Sequence, residues 1–356
     1  MISRLLAAIT LVVALYAEAR PYNPLRETDS TFFATPEAIR IGRQVLAYQR
    51  HTGGWPKNID MSREHTDDEL AAARAGYSRS DDSTTDNEAT TMQMAYLARL
   101  YKATGDTVWS NAVARGAAYL LSGQYPNGGW PQFWPEMPGY RRHITYNDNA
   151  MVNTMTLIRD MRDGTAPYDA PGLITDSLRQ RLGEAFDRGI ECILSTQIIY
   201  RGEPTVWCQQ HDRETLAPVG ARAFELPAFC STESMAIVWL LMDLPEPDER
   251  VCRAIEGAMR WFDRNKIEGL RVERTGSKAD GTLNTRLVPD STSTIWARYY
   301  DLADCRPFVC DRDGIPRERL EDIGPERRSG YSWYIPWPAA LFPRYEQWKK
   351  TISPDL

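Results

Sequence analysis

The sequence predicts a mainly α protein: an irregular α/α toroid of repeated helical hairpins, with a few short strands and a coil-rich C-terminal segment that wraps around the helices. Three observations lead to this class. Helix-start signals recur along the 356 residues, and no series of alternating strands accompanies them. A Gly-Gly-Trp-Pro corner also occurs twice, at residues 53–56 and 128–131. Recurring units of this kind are typical of folds built from stacked repeats.

The N-terminus predicts a secretory signal peptide over residues 1–19. Arg4 precedes an apolar run, and residues 17–19 read Ala-Glu-Ala, a small-x-small cleavage site. Such a leader is shorter than a typical membrane span and is removed on export. We therefore expect a secreted protein, periplasmic or extracellular, cut near Ala19, with residues 20–356 forming a single catalytic domain. No later run approaches the length of a membrane span.

The composition is that of a soluble globular protein, 42% hydrophobic and 25% charged, with a net charge of −6. An acidic exported chain is not typical of nucleic-acid binders, and we expect a monomer. Six cysteines are dispersed along the chain. Cys305 and Cys310 are the candidate disulfide pair, and the alternative is six buried thiols. The four histidines show no ligand spacing, which argues against zinc.

Each helix is predicted from its capping residues and its apolar pattern. The first opens on Thr35, with a proline at the first helical position and an acidic first turn, and is expected to run to Gly53. The further predicted helices cover residues 86–105, 107–123, 147–164, 175–197, 231–244, 247–265 and 291–302. Short strands are predicted at residues 269–274 and 284–289. The tail from Phe308 is rich in Pro, Gly and Arg and is expected to wrap around the helices.

Polar clusters open four of the apolar helices, at Asp86-Asn87, Asn147-Asp148, residues 231–233 and residues 291–293. In a toroid the inner helices would point these starts toward one face. The Gly-Gly-Trp-Pro corner would turn an outer helix back toward the inner ring. Trp55 and Trp130 are therefore predicted to pack into the corners, and the alternative is that they stack on sugar rings.

The polar helix starts carry the candidate chemistry. If the inner helices are parallel, Asp86, Asn87 and Asp148 converge on one rim. Each could merely cap its own helix, but both starts carry two polar residues where one cap would do. Two carboxylates and an amide oxygen, with no convergent cysteine or histidine, favour a hard cation, Ca²⁺ rather than zinc.

Six segments together resemble the pectate lyases of polysaccharide lyase family 10, in order and over nearly the whole chain after residue 19. They are GGWPKN, TTDNEATTMQMAYLARLY, YPNGGWPQFWP, RRHITYNDNAMVNTM, GARAFELPAFCSTES and ERRSGYSWY. The resemblance implies an irregular α/α-toroid-like fold. It also implies Ca²⁺-dependent β-elimination of polygalacturonate, the demethylated form of pectin.

The resemblance also assigns site residues. Asp86, Asn87 and Asp148 match the calcium ligands, and Arg222 matches the arginine that acts as the catalytic base. The residues that correspond to substrate-binding arginines are Arg298, Arg306 and Arg328. Lys57 follows the first corner, where the second corner has a glutamine. It is expected to reach the uronate cleft, and the alternative is an ordinary solvated lysine.

The implied reaction sets a requirement on Arg222. The C5 proton of galacturonate lies beside a carboxylate and is a very poor acid, so Ca²⁺ on that carboxylate would stabilise the charge that develops. A guanidinium normally keeps its proton up to a pH above about 12. Arg222 can act as a base only if neighbouring cations lower its pKa and the medium is alkaline. We therefore expect an optimum well above neutral pH.

Two other classes of function remain open from the residues alone. A calcium-independent α/α-toroid glycoside hydrolase would use Asp86 and Asp148 as its acid and base. A non-catalytic pectin-binding protein would keep the calcium rim without turnover. Chelation separates the lyase from the hydrolase, and substitution of Arg222 separates the lyase from the binder.

Overall fold

The computed structural model describes residues 22–352, so the predicted signal peptide lies outside the described residues. The α-helices are α1 (Pro36–Tyr48), α2 (Asp67–Ala75), α3 (Thr91–Thr104), α4 (Thr107–Gly123), α5 (Ala150–Asp163), α6 (Asp176–Thr196), α7 (Ser231–Met242), α8 (Glu249–Arg264), α9 (Pro325–Gly330) and α10 (Leu341–Ile352). About 48% of the structure is helical, which confirms the mainly α class. The toroid and the single domain stay predictions.

Consecutive helices pack as pairs, α3 with α4, α5 with α6 and α7 with α8. The predicted starts of α1, α4, α6 and α8 are confirmed, whereas α3 and α5 begin at Thr91 and Ala150, later than the predicted residues 86 and 147. The side chains of Thr35, Asp106, Thr175 and Asp248 each accept a hydrogen bond from the first turn of α1, α4, α6 and α8. Helix α1 ends at Tyr48, earlier than the expected Gly53. No described helix combines the length and apolar composition needed to cross a membrane.

The two Gly-Gly-Trp-Pro corners are built alike. Trp55 donates through Nε1 to the carbonyl of Val45 at 2.7 Å, and Trp130 donates to the carbonyl of Leu120 at 2.8 Å. Each indole therefore binds back to the helix that precedes its corner. The side chains of Trp55 and Trp130 are 0% and 2% exposed. This burial confirms the packing role and excludes the sugar-stacking alternative.

A glutamine directly follows each of the helices α1, α4 and α6 and joins the turn after that helix to a later helix. The Nε2 of Gln49 donates to the carbonyls of Gly53 (2.9 Å) and Ala112 (3.0 Å), the second of which lies in α4. The same pattern recurs in two further glutamines. Gln124 binds the carbonyls of Gly128 and Ala185, and Gln197 binds those of Thr205 and Ala254. The sequence repeat thus marks a repeated hydrogen-bonded joint.

The first glycine of each corner is expected to tolerate no side chain. Gly53 and Gly128 have φ of +96° and +90°, and a Cβ at either would overlap a backbone carbonyl, that of Arg115 in α4 or that of Arg188 in α6. We expect Gly53→Ala and Gly128→Ala to lower the free energy of unfolding by more than the roughly 1–3 kcal/mol of backbone strain alone. Urea unfolding measures the loss. Gly105→Ala is the matched control, since Gly105 has φ of +70° but open space around it. Equal losses in all three variants would contradict the overlap.

The predicted helix over residues 291–302 is wrong. Residues 291–297 belong to β7 (Asn284–Ala297), which pairs antiparallel with β6 (Ile267–Thr275), and residues 299–300 form a separate short strand. The strands predicted at residues 269–274 and 284–289 are confirmed, and β7 simply continues through the serine and threonine cluster. β-Branched and aromatic residues there favour a strand once a partner is present. Ile267 pairs with Ile295, a contact invisible in the local sequence.

The remaining strands are short. They are β1 (Ile144–Thr145), β2 (Ile199–Tyr200), β3 (Glu203–Pro204), β4 (Gln210–His211), β5 (Phe229–Cys230), β8 (Tyr299–Tyr300), β9 (Pro307–Cys310), β10 (Pro316–Arg317) and β11 (Tyr334–Ile335). The tail after Phe308 is less coil-rich than predicted, since it ends in the twelve-residue helix α10. Leu341 and Trp348 bury one side of that helix in the core.

All six cysteines are free thiols, so the candidate pair does not form. The Sγ of Cys305 instead contacts Oδ1 of Asn265 at 3.3 Å, and the Sγ of Cys310 contacts the carbonyl of Asp311 at 3.3 Å. Four of the thiols are buried, and Cys252 and Cys305 are partly exposed. The alternative of unpaired thiols is therefore the one that the structure bears out.

Candidate active site

A cleft of about 900 Å³ gathers most of the predicted site residues. Those that line it are Lys57, Asp86, Asn87, Asp148, Arg222 and Arg298. The lining comes from the segments that follow the two corners, the turns that precede α3 and α5, the segment before α7, the hairpin of β6 and β7, and residues 329–332. Residues far apart in the chain, from Lys57 to Ser332, thus meet in one place.

Two matching 3-10 turns supply the acidic side chains. They are Asp86–Glu88 and Asn147–Asn149. In each turn the first residue is buried, Asp86 in one and Asn147 in the other. The second residue, Asn87 or Asp148, has φ of +51°. Asn and Asp adopt this left-handed conformation more readily than other residues with a Cβ, which explains their use here. One carboxylate from each turn, Asp86 or Asp148, therefore lines the cleft, and the two come from different positions of their turns.

These side chains do not cap their helices. Helices α3 and α5 begin at Thr91 and Ala150, and their N-cap residues make no side-chain capping bond. The interpretation of Asp86 and Asp148 as simple helix caps is therefore wrong. Their oxygens are left for another partner.

The oxygens of the two turns are poorly satisfied by the protein. Asp86 is 2% exposed, and its Oδ1 has no hydrogen-bond partner among the described residues, while its Oδ2 forms an ion pair with Lys57. Asn87 donates through Nδ2 to Oδ1 of Asn58 at 3.0 Å, which leaves its own amide oxygen as an acceptor. Asp148 opens onto the cleft, but the surrounding walls desolvate it and raise its pKa, and the negative charges of Glu233 and Asp86 add to this rise.

This donor set fits a hard divalent cation. A buried carboxylate oxygen without a partner and a second carboxylate with a raised pKa both gain from a nearby positive charge. Within residues 22–352 no group of three or more His, Cys, Asp or Glu residues forms a metal cluster. A cation here would therefore rest on two carboxylates and an amide, and Ca²⁺, which takes six to eight oxygens, would need further oxygens from water or a ligand.

Arg222 is paired with a carboxylate, whereas a role as a base requires neighbouring cations. Its Nε donates to Oε2 of Glu225 at 2.7 Å, and its Nη2 binds Oε1 of the same carboxylate. That hydrogen bond raises the pKa of Arg222, whereas we had expected neighbouring cations to lower it. The hydroxyl of Tyr331 donates to Oε1 of Glu225 at 2.8 Å and fixes the carboxylate from the other side. Among the described residues, Nη1 of Arg222 makes no hydrogen bond.

Arg298 is held by protein groups beneath the cleft. Its side chain is 7% exposed and forms an ion pair with Glu233, which is itself buried in the first turn of α7. Its Nη2 also donates to Oδ1 of Asn147 at 3.1 Å, and Nδ2 of Asn147 donates to Oδ2 of Asp148 at 3.2 Å. Arg298 is therefore placed to hold the second acidic turn as well as to line the cleft.

Two predicted arginines lie outside the cleft lining. The side chain of Arg306 is 75% exposed and lies 3.3 Å from Asp304. Arg328 lines a small neighbouring pocket together with Arg274 and Tyr331, and its Nε is buried without a hydrogen-bond partner among the described residues. Arg328 is thus adjacent to the site, and Arg306 is not part of it.

The sequence analysis missed several residues of the site. Glu225 lies three residues after Arg222, and this spacing of opposite charges could have indicated their pairing. The cleft is also lined by Tyr331, Arg274 and Lys278. These residues come close to the acidic turns only in the tertiary structure. No local pattern marks them.

Solved structures similar to this chain include two of family 10 polysaccharide lyase from Cellvibrio cellulosa. One is an aspartate-to-alanine variant in complex with trigalacturonic acid. Both are 31% identical to this chain with a TM-score of 0.77, and the match covers 90% of this chain and 97% and 96% of theirs. Fold and site therefore define a polysaccharide lyase. The model of the pectic acid lyase family matches residues 49–342, and the chain belongs to this family. No curated protein sequence matches the chain.

Proposed function

We propose that this protein is a secreted, calcium-dependent pectate lyase that cleaves polygalacturonate by β-elimination, with its helical hairpins arranged as a toroid. One observation carries the proposal. The oxygens of Asp86, Asn87 and Asp148, among them the buried Oδ1 of Asp86 that has no partner among the described residues, line the same cleft as the guanidinium of Arg222. The trigalacturonic acid in the Cellvibrio cellulosa relative supports a galacturonate substrate.

Positively charged side chains in the cleft would attract the negatively charged substrate. The protein is net acidic at −6, so a polyanion must be attracted by local positive groups. Lys57, Arg222 and Arg298 supply three such groups in the cleft. Lys57 lies 5.5 Å from the centre of the Phe133 ring, which limits where its ammonium can go. Arg306, exposed and outside the cleft, has no part in this proposal.

Asp86, Asn87 and Asp148 would hold the calcium ion. When bound, it would neutralise the substrate carboxylate and so make the neighbouring C5 proton more acidic. The ion would also compensate the charge of Asp148, which burial and nearby carboxylates disfavour. Lys57, now paired with Asp86, would then be free to bind a substrate carboxylate.

Arg222 would take the proton. In the elimination the C5–H bond breaks, its electron pair forms the C4–C5 double bond, and the C4–O4 bond breaks. The leaving oxygen takes a proton from water, and the product has a 4,5-unsaturated end. Arg222 must lose one proton to the medium before it can accept that of C5. Glu225 holds Nε and Nη2, so Nη1 is the nitrogen left to face the substrate.

We expect the turnover rate to rise with pH through the alkaline range. Because Glu225 raises the pKa of Arg222, the neutral guanidine is scarce at neutral pH and becomes more abundant as the pH increases. Below that pKa the logarithm of kcat should rise by about one for each pH unit. Initial rates at saturating polygalacturonate, with circular dichroism at each pH to confirm the fold, test this. A maximum at mildly acidic pH would contradict an arginine base.

The assay that decides the function uses polygalacturonate with and without Ca²⁺. The unsaturated product absorbs in the ultraviolet, so a lyase gives absorbance together with new reducing ends. A glycoside hydrolase, the alternative disfavoured by the family match, would give reducing ends without absorbance and would survive chelation. A pectin-binding protein would give neither signal but would retain affinity for the polymer. N-terminal sequencing of the exported protein should show a start just after Ala19.

A further inference from the structure

The hairpin of β6 and β7 brings two additional cations to the cleft. Its tip spans residues 276–283, and the cleft lining includes Arg274, Gly276, Lys278 and Leu283 from this hairpin. Neither Arg274 nor Lys278 has an ion-pair partner within residues 22–352. Their positive charges are therefore available to an anion in the cleft.

The other arginines of the hairpin differ from Arg274 in this respect. Arg271 binds Glu273 at 2.9 Å, and Arg286 binds the same carboxylate at 2.7 Å through Nε. Side chains alternate between the two faces of a strand. Arg274 therefore lies on the face of Val272, which lines the pocket beside the cleft, whereas Arg271 and Glu273 share the opposite face. Only the arginine on the cleft side lacks a carboxylate.

The tip is held in one shape by its own hydrogen bonds. The backbone N–H of Ser277 donates to Oγ1 of Thr282 at 3.0 Å, and that of Leu283 donates to the carbonyl of Ser277 at 3.0 Å. The one acidic residue of the tip, Asp280, accepts from the N–H of Thr282 at 3.0 Å and from its hydroxyl. A cation presented on a fixed loop loses less entropy on binding than one on a mobile loop.

Arg328 extends the positive surface between the hairpin and the cleft. Arg274 and Tyr331 line both the cleft and the small pocket that also includes Arg328. The Nε of Arg328 is buried without a hydrogen-bond partner among the described residues. Lys278, Arg274 and Arg328 thus form a cationic track, defined by these three residues, that joins the cleft to the small pocket beside it.

We propose that Arg274 and Lys278 form a subsite for the carboxylate of a galacturonate unit other than the one that reacts. The inference rests on the proposed function, because it takes its ligand to be a polyuronate. A polymer with one carboxylate on every unit needs positive partners along its length. The two cations of the hairpin, which have no ion-pair partner within residues 22–352, supply such partners, and they would add affinity without entering the chemistry.

The test compares Arg274→Ala and Lys278→Ala with two control variants, Arg271→Ala and Arg286→Ala. The controls remove the same kind of charge from the same hairpin, on cations already bound to a carboxylate. A charge-assisted hydrogen bond contributes about 1.5–3 kcal/mol, so each test variant should raise KM for polygalacturonate about tenfold or more. The kcat should stay within about twofold of wild type, because uniform binding is lost. The controls should change KM by less than about twofold.

Several outcomes would overturn the subsite. One is an equal rise of KM in the test and control variants. The others are an unchanged KM in both test variants and a fall of kcat in the test variants without a change of KM. If Arg274→Ala proves unstable on thermal unfolding, Lys278→Ala at the exposed tip carries the test alone. If wild type produces no unsaturated product, the proposed function fails. Retardation of the same variants in gels containing polygalacturonate then still shows whether the subsite exists.

Discussion

Arg222→Ala is expected to lower kcat on polygalacturonate by about 10²–10⁴-fold, the usual contribution of a positioned proton acceptor. The loss should appear in kcat, because the guanidine acts on the proton that moves in the transition state. Binding of the polymer should fall much less, since Lys57 and Arg298 remain in the cleft. Ultraviolet absorbance of the unsaturated product measures kcat, and gel retardation measures binding.

A lysine at the same position separates a base from a fixed charge. Lysine has an ordinary pKa near 10.4, about two units below that of arginine, and it cannot bind Glu225 through two nitrogens. If Arg222 is the base, Arg222→Lys should retain part of the activity and show its rise in rate at lower pH. If Arg222 only neutralises charge, the pH profile of Arg222→Lys should match that of wild type. Arg250→Ala is the control, because Arg250 lies on α8 and binds Glu191 away from the cleft.

Removal of the metal is the second large effect that we expect. Chelation with EDTA should lower activity by about 10²–10⁴-fold, since metal stabilisation of developing charge contributes several kcal/mol and each 1.36 kcal/mol is a factor of ten. Added Ca²⁺ should restore the rate. Asp86→Asn and Asp148→Asn should lose this restoration, whereas Asp160→Asn should keep it, because Asp160 binds Arg159 on α5 outside the cleft.

Calcium binding can also be measured without turnover. The protein offers two carboxylates and one amide, so titration calorimetry should show weak Ca²⁺ binding that tightens when trigalacturonic acid supplies further oxygens. A raised folded-state pKa in Asp148 means that its charge destabilises the fold once the pH exceeds its unfolded pKa. Asp148→Asn should therefore slightly raise Tm in EDTA at neutral pH and abolish the rise of Tm caused by Ca²⁺. Tight binding that trigalacturonic acid leaves unchanged would argue for other ligands.

The helical part of the fold could be predicted because its signals are local. A threonine or aspartate at the N-cap, an acidic first turn and an apolar stripe all lie within a few residues of one another. The helix prediction for residues 291–302 was wrong because the structure of this segment depends on a distant strand. Its serine and threonine start resembles a helix cap, and only the pairing of Ile295 with Ile267 turns it into a strand. Long-range pairing leaves no mark in the segment itself.

The site residues likewise fall into those with a local sequence signal and those without one. Asp86, Asn87 and Asp148 could be found because each lies in a doubled polar start, and Arg222 because it lies in a segment that resembles a known family. Glu225 raises the pKa of Arg222, and in the sequence only the three-residue spacing of the two opposite charges indicates that the side chains could pair. The cationic track could not be predicted from the sequence, because the position of the hairpin that carries Arg274 beside the cleft depends on the tertiary packing.

The corner glutamines have a consequence for dissecting the molecule. Each one holds two successive hairpins together, so a cut between hairpins removes a hydrogen-bond acceptor from the piece that remains. A fragment that stops after α6 would keep Gln197 but lose the carbonyls of Thr205 and Ala254. The partly buried amide of Gln197 in such a half-molecule would have to bind water instead. Limited proteolysis should therefore yield either the intact protein or small peptides, and no stable fragment of about half the length should accumulate.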